Sequence, residues 1–63
     1  MTPDAFRRWL AEMHSAGLAR SDAACGRLLG LSANSILAMK ERGCDLRTAL
    51  ACRALLHQLP PYA

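Results

Sequence analysis

The side chains able to bind a metal or to form a disulfide are three cysteines and two histidines: Cys25, Cys44, Cys52, His14 and His57. Zinc sites use ligands in closely spaced pairs, and this sequence contains no Cys-x-x-Cys motif. An odd number of widely spaced cysteines does not suit a disulfide framework either. We therefore predict no metal and no other cofactor, and we expect the cysteines to serve as small hydrophobic side chains in a reducing cytoplasm.

The spacing needed for catalysis is also missing from the sequence. No Ser/His/Asp or Cys/His arrangement stands out, and the five carboxylate side chains are few and expected to be exposed. His14 and His57 fall near the ends of predicted helices, where a protonated imidazole interacts favourably with the helix dipole. We predict that the protein is not an enzyme.

The charged side chains favour an anionic partner. The sequence has eight Lys and Arg against five Asp and Glu, a net charge of +3, and seven of the eight cations are Arg. Arg binds phosphate groups in a bidentate geometry, which favours a nucleic acid. A small net positive charge is also compatible with an ordinary soluble surface, so charge alone leaves both interpretations open.

Length and composition predict one small folded domain over residues 1–63. With 52% hydrophobic residues the chain has enough apolar surface to fold, but so small a core is marginal and often depends on a partner subunit. No apolar run is long enough to span a membrane, and the start of the chain lacks the basic and apolar regions of a signal peptide. We expect a cytoplasmic protein with no membrane partner.

Capping residues divide the chain into helical segments. Each of four segments is preceded by a residue that favours the N-cap position: Thr2, Ser21, Ser32 and Asp45. The first three segments are followed by glycines that suit a helix C-terminus: Gly17, Gly30 and Gly43. Because period-two alternation is absent and Pro60 follows the last segment, the pattern predicts a compact all-α fold of four, or five, helices.

Apolar residues recur at helical spacing and predict the buried face of each segment. In the first three segments the predicted inner residues are Phe6, Trp9, Leu10, Met13, Cys25, Leu28, Leu29, Ile36 and Met39. Leu31 is expected to be buried in the turn between the second and third helices. Gly30 can adopt a positive φ, which lets the chain reverse there. Gly26 marks the point where these two helices are expected to cross too closely for a larger side chain.

Residues 21–43, SDAACGRLLGLSANSILAMKERG, have the spacing of two short helices joined by a tight turn. They resemble the helix-turn-helix of the phage-repressor-like family, the Cro and repressor type of prophage and plasmid regulators, which includes anti-CRISPR-associated regulators. The similarity extends over residues 18–56 and rests on Ser21, the run Arg27-Leu28-Leu29-Gly30-Leu31-Ser32, Ile36 and Gly43. The sequence departs from the family at Gly26, where alanine is usual, and at Asp22, where a phosphate-binding Gln is frequent.

The resemblance implies that the third helix is a recognition helix in the major groove of double-stranded DNA. The implied base-contact residues are Ser32, Ala33, Asn34, Ser35, Leu37 and Ala38. Asn34 is the leading candidate because Asn can bond adenine in a bidentate geometry; the alternative is a solvated helix residue. The implied phosphate contacts, each of which could also be an ordinary surface charge, are Arg20, Arg27, Lys40 and Arg42.

The fourth predicted helix has more apolar residues than one face can hold. One side carries Leu46, Ala49, Leu50 and Arg53. The other side, which we expect to form a two-fold dimer contact, carries Cys52, Leu55, Leu56 and Leu59, followed by Tyr62. The alternative is that Leu55, Leu56 and Leu59 fold back onto the first helix within one subunit.

The sequence therefore predicts a DNA-binding transcriptional regulator, a homodimeric repressor that blocks a promoter by occupying a palindromic site and needs no small-molecule effector. The competing prediction is a helical protein-interaction module, an inhibitor or adaptor that uses the same helices for protein contact. The weakly charged outer face of the third helix favours the module, whereas the surrounding cations favour DNA.

Overall fold

The computed structural model describes residues 1–62 and contains four α-helices: α1 (Pro3–Ser15), α2 (Asp22–Leu29), α3 (Ala33–Arg42) and α4 (Leu46–Leu56). No strand and no fifth helix occur in these residues, so the all-α prediction is confirmed. The last residue of the predicted domain lies outside the described residues. None of the four helices has the length and apolar character needed to cross a lipid bilayer.

Each helix begins directly after the residue that the sequence predicts as its N-cap. The cap side chains accept hydrogen bonds from backbone amides three residues later, at 2.8–3.2 Å, and they belong to Thr2, Ser21, Ser32 and Asp45. These bonds satisfy amide groups that have no partner inside the first turn of a helix. The predicted C-terminal glycines all adopt positive φ angles of 72–80°, at Gly17, Gly30 and Gly43.

The core is built around α1, which packs against each of the other three helices. Its buried stripe is the predicted one, and the other helices add Cys25, Ile36 and Cys52, each at most 1% exposed. The indole Nε1 of Trp9 donates to the carbonyl oxygen of Cys52 at 2.8 Å. This bond fixes α4 on α1, because a buried indole N–H without an acceptor would be destabilising.

The first residue of the chain is held against the connection between α3 and α4. The amino group of Met1 donates to the carbonyl oxygen of Cys44 at 3.0 Å, and the amide of Cys44 donates back to Met1 at 3.0 Å. A Cβ at Gly43 would lie 2.2 Å from the carbonyl oxygen of Met1. Only glycine therefore permits this approach of the N-terminus.

The predicted dimer contact on α4 is contradicted at Cys52, Leu55 and Leu56, which pack inside the subunit. Cys52, which we expected at a dimer contact, is 0% exposed, and burial raises the pKa of its thiol to about 12. Leu55 and Leu56 pack against the core, as the alternative within one subunit required. Leu59 and Tyr62 are exposed, and so are the leucines of the opposite side, Leu46 and Leu50.

The physical reason is that α4 is apolar on two sides, so its sequence does not show which side packs against the core. Its period shows which residues share a side, but the side that docks is decided by the surface it meets. In this protein α1 offers the indole of Trp9, and the carbonyl of Cys52 lies where that donor can reach it. The side with Leu46 and Leu50 is left facing outward.

A second correction concerns α2. Leu28, predicted to face inward, is 49% exposed, and Leu31 in the following turn is half-buried rather than buried. The inner face of α2 is formed instead by Cys25 and Gly26, with Leu29 packed at the edge of the core. Gly26 lets α3 approach α2 closely, so the side of α2 that packs inward is the side with Cys25 and Gly26. Leu28 lies away from this side and is exposed.

Candidate nucleic-acid interface

The corner between α2 and α3 depends on a close contact between Gly26 and Ile36. A Cβ at Gly26 would lie 2.9 Å from Cγ1 of Ile36 and 3.1 Å from the carbonyl oxygen of Leu31. Both distances are shorter than a carbon atom normally approaches, so a larger side chain would displace α3 or the turn. The close crossing predicted at Gly26 is confirmed, and it sets the position of α3 against α2.

The turn between the two helices is tight because Gly30 adopts a left-handed φ of 73°. Its amide donates to the carbonyl oxygen of Arg27 at 3.1 Å, and the amide of Leu31 donates to that of Gly26 at 2.8 Å. These bonds satisfy carbonyl groups at the end of α2. Ser32, two residues after Gly30, then caps the next helix, so α3 begins at Ala33.

The α3 outer face is defined by four of the exposed residues of this helix: Ala33, Asn34, Leu37 and Glu41. Leu37 is 60% exposed. The side chain of Asn34 has no hydrogen-bond partner within residues 1–62, so its carboxamide group is free to bond a ligand. This surface combines one amide, two apolar groups and one carboxylate.

The six predicted base-contact residues are only partly brought together by the structure. Ala33, Asn34 and Leu37 lie on the α3 outer face, and Ser32 is exposed beside them at the N-cap. Ser35 and Ala38 are half-buried, because they lie on the flanks of the helix between the outer face and the core. The hydroxyl groups of Ser32 and Ser35 lie 3.1 Å apart and bond each other.

Three of the four predicted phosphate contacts are available to an anion. Arg20, Arg27 and Arg42 are exposed, and none of them takes part in a salt bridge within residues 1–62. They flank α2 and α3 at the start of α2, near its end and at the end of α3. A phosphate backbone that approaches these two helices would therefore find exposed cations near both ends of α2 and at the end of α3.

Lys40 is engaged within the fold. Its Nζ donates to Oδ2 of Asp22 at 2.8 Å, and only 35% of its side chain is exposed. Its carbonyl oxygen also accepts a hydrogen bond from the guanidinium of Arg7, which pairs with Asp4. Because its ammonium group is bonded to Asp22, Lys40 is less available to a phosphate than the three exposed arginines.

Asp22 is the centre of a three-residue cluster that joins α1, α2 and α3. Its other oxygen, Oδ1, lies 2.9 Å from Nε2 of His14, and Nδ1 of the same imidazole lies 3.0 Å from the carbonyl oxygen of Ala19. Both ring nitrogens of His14 therefore face acceptors. Only the doubly protonated imidazolium can donate to both, so the geometry favours the charged form.

The pKa values within this cluster shift as the contacts require. The hydrogen bond to the carbonyl of Ala19, followed by the bond to Asp22, raises the pKa of His14 above its ordinary value of 6.5. The hydrogen bond from Lys40, followed by that from His14, lowers the pKa of Asp22 below its ordinary value of 3.8. With His14 protonated, two cations surround one carboxylate, and their contacts anchor the start of α2 to the neighbouring helices.

Sequence reasoning missed this cluster. The sequence predicts for His14 an interaction with the dipole at the end of α1, and it marks Asp22 only as a departure from the family at a position where a phosphate-binding Gln is frequent. The members are eight and eighteen residues from Asp22, and no pattern of local spacing indicates such a contact. Only the packing of α1 and α3 on either side of α2 brings them together.

Within residues 1–62 no group of three or more His, Cys, Asp or Glu side chains is arranged to hold a metal ion. No protein-family model, no curated protein sequence and no solved structure matches this chain. The geometry and surroundings of the α2–α3 corner are therefore the observations that bear on its function.

Proposed function

We propose that this protein is a sequence-specific double-stranded DNA-binding transcriptional regulator, and that α2 and α3 act as its helix-turn-helix. The observation that carries the proposal is the exposed α3 outer face, held in one orientation by the contact of Gly26 with Ile36 and flanked by unpaired arginines. In this arrangement α3 lies in the major groove as the recognition helix, with its N-terminal residues at the base edges. The protein acts as a homodimeric repressor by occupying a palindromic promoter site.

Base recognition is assigned to the first half of α3. The free amide of Asn34 can donate to and accept from one adenine, which is the bidentate pairing available to this side chain. Ala33 and Leu37 offer methyl groups on the same face, suited to the methyl group of thymine. This chemistry favours A·T pairs at the centre of each half-site, because no cation on the α3 outer face is placed to read guanine.

Affinity is assigned to the flanking arginines. Arg20, Arg27 and Arg42 would each neutralise a phosphate, and each such contact releases counterions and steepens the salt dependence of binding. Because the α3 outer face itself carries Glu41 and no cation, these three side chains supply most of the electrostatic attraction. Binding is therefore expected to weaken sharply as salt concentration rises.

The test is a fluorescence-anisotropy titration against DNA taken from upstream of the protein's own operon, with scrambled duplexes as competitors. The expected result is a preference for one A·T-containing site, with affinity that falls steeply with salt. Failure to bind any duplex at low salt would contradict the proposal. Binding with no sequence preference would leave only non-specific DNA binding.

Two substitutions separate recognition from electrostatic attraction. Asn34→Ala is expected to relax specificity at one base position, at a cost of about 1–3 kcal/mol for the preferred base. Arg27→Ala is expected to weaken binding to all sequences alike and to reduce the salt slope by about one unit. Arg8→Ala is the matched control, because Arg8 is an exposed arginine of α1 that lines the groove against α4. Its binding is measured on a half-site duplex.

A second candidate function, a protein-interaction module, is favoured by one observation. The central large side chain of the α3 outer face is a leucine that is 60% exposed, and Leu28 on α2 is 49% exposed. Exposed leucines with few charges are typical of surfaces that dock another protein. The same titration distinguishes the two candidates, because a module of this kind would show no salt-dependent binding to DNA.

A further inference from the structure

A groove lies between α1 and α4, on surfaces that neither α2 nor α3 helps to form. It has a volume of about 500 Å³, with Trp9 and Ala49 among its lining residues. Two leucines of α4 border it with their side chains outward, Leu46 at 74% and Leu50 at 60% exposure. Leu46, Leu50 and Arg53 follow helical spacing and form one stripe along α4.

The charged side chains around this groove have both signs. Arg8 and Glu12 on α1 and Arg53 on α4 all line it, and none of them takes part in a salt bridge within residues 1–62. The aspartates of the chain, by contrast, are all paired with cations. The groove therefore combines an apolar floor with unpaired charges of both signs.

We propose that the groove between α1 and α4 is the contact surface for a second copy of this chain, with Leu50 of each copy inserted into the groove of the other and Arg53 of each copy paired with the other copy's Glu12. This contact is the interface of the dimer in the proposed function, and it replaces the contact surface that the sequence predicted. It does not depend on DNA binding, because the contact forms in the absence of DNA.

Charge complementarity selects a second copy over other occupants. In a two-fold contact the same surface meets itself, so an acid on α1 and a cation on α4 pair twice. A purely acidic partner would leave Glu12 facing like charge, and a purely basic partner would do the same to Arg8 and Arg53. The apolar floor has nothing to offer a phosphate backbone. A second copy pairs Glu12 and Arg53 of each chain, two ion pairs in all, whereas a partner of one sign leaves a like charge facing it.

The position of the groove also suits this occupant. The groove is lined by Met1, by residues of α1 and α4, and by His57 at the end of α4. A second copy bound there would therefore not cover the α3 outer face. The contact is small, and small interfaces give weak, concentration-dependent association. We therefore expect a monomer–dimer equilibrium in the micromolar range.

The experiment is sedimentation equilibrium of the full chain without DNA, over a concentration series. The wild type is expected to show a monomer–dimer equilibrium, and Leu50→Glu is expected to raise the dimer dissociation constant by about a hundredfold, because it places two carboxylates in an apolar contact. Leu37→Glu is the matched control: Leu37 is equally exposed, at 60%, but lies on the α3 outer face. It is expected to leave the dimer unchanged. Circular dichroism confirms that each variant is folded.

A charge exchange tests the paired contact without touching the leucines. Glu12→Arg and Arg53→Glu are each expected to raise the dissociation constant by about tenfold or more, because each places like charges together. The double variant restores opposite charges with their positions exchanged, and it is expected to recover most of the wild-type association. Recovery in the double variant cannot come from a general loss of stability.

Two results would overturn the proposal: a wild-type chain that stays monomeric up to its solubility limit, or a dimer that survives both Leu50→Glu and Arg53→Glu. A monomer would instead favour another protein as the occupant of the groove. The outcome is separable from that of the proposed function. Binding to a half-site duplex by a monomer would retain the DNA-binding function and reject this contact, whereas a dimer with no DNA binding would do the reverse.

Discussion

The α3 outer face and the groove between α1 and α4 each present a leucine that is 60% exposed, at Leu37 and Leu50, but in different surroundings. Leu37 shares its face with the free amide of Asn34, with Ala33 and with Glu41, and it has no large apolar neighbour on that face. Leu50 borders an apolar groove whose unpaired charges have both signs. The exposure of a leucine is the same observation in both places, and only the neighbouring residues separate a surface suited to DNA from one suited to a second copy.

The two regions also differ in how firmly the fold fixes them. The α3 outer face is backed by Ile36, which is 1% exposed and contacts the backbone of α2 at Gly26. The leucine stripe of α4 is backed by a helix whose other side is held through Trp9 and the core. The residues that orient each surface are therefore buried, while the residues that would bind a partner contribute little to folding.

The largest expected effect tests this division on α3. Ile36→Ala is expected to lower the free energy of unfolding by about 2–5 kcal/mol, because it removes a buried side chain and leaves a cavity. Leu37→Ala and Leu50→Ala should each change it by no more than about 0.5 kcal/mol, because both side chains are mostly exposed. Urea denaturation at low protein concentration, where the chain is monomeric, measures all three. A large loss at Leu37 would mean that the α3 outer face is part of the core.

The next effect concerns the contact that sets the angle of α3. Gly26→Ala is expected to destabilise the protein by about 1–3 kcal/mol, because the new methyl group would lie within 3 Å of Ile36, and this outweighs the better helix propensity of Ala. The comparison is a double-mutant cycle with Ile36→Ala. In that background the added methyl group has space, so most of the penalty should disappear. An unchanged penalty would show that backbone effects, and not the side-chain contact, fix the glycine.

The smallest effect is a pH dependence located at the His14 cluster. The folded protein raises the pKa of His14 above 6.5, so this histidine stabilises the fold fully below about pH 6.5, and the contribution is lost as pH rises through the folded pKa. Asp22 acts in the opposite direction: its lowered pKa gives stability above its ordinary value of 3.8 that is lost as pH falls through the folded value.

The measurement is the free energy of unfolding at about pH 5.5 and about pH 8.5, in the wild type and in His14→Gln. The wild type should lose stability between these values, and the variant should lose less, because Gln does not titrate. His57→Gln serves as the control for the second histidine, which is exposed at the end of α4. Equal pH dependence in wild type and His14→Gln would place the titrating group elsewhere.

Much of the fold was predictable from the sequence, because the relevant interactions are local. The four N-caps, the positive φ of Gly17, Gly30 and Gly43, and the buried stripe of α1 all depend on residues within a few positions of each other. The close approach at Gly26 was predictable too, because only a tight helical corner requires so small a residue at that spacing. The exposure of Ala33, Asn34 and Leu37 follows from the period of α3 once its inner side is assigned to Ile36.

The tertiary structure decided what local patterns leave open. The sequence assigned the residues of α4 to two sides but chose the wrong side for the core, because the choice depends on the indole of Trp9 and the carbonyl of Cys52, forty-three residues apart. The pairing of Lys40 and His14 with Asp22 likewise arises only when three helices meet. Local spacing determines where helices begin, end and are apolar, whereas the partner of each face is set by the free energy of packing the whole chain.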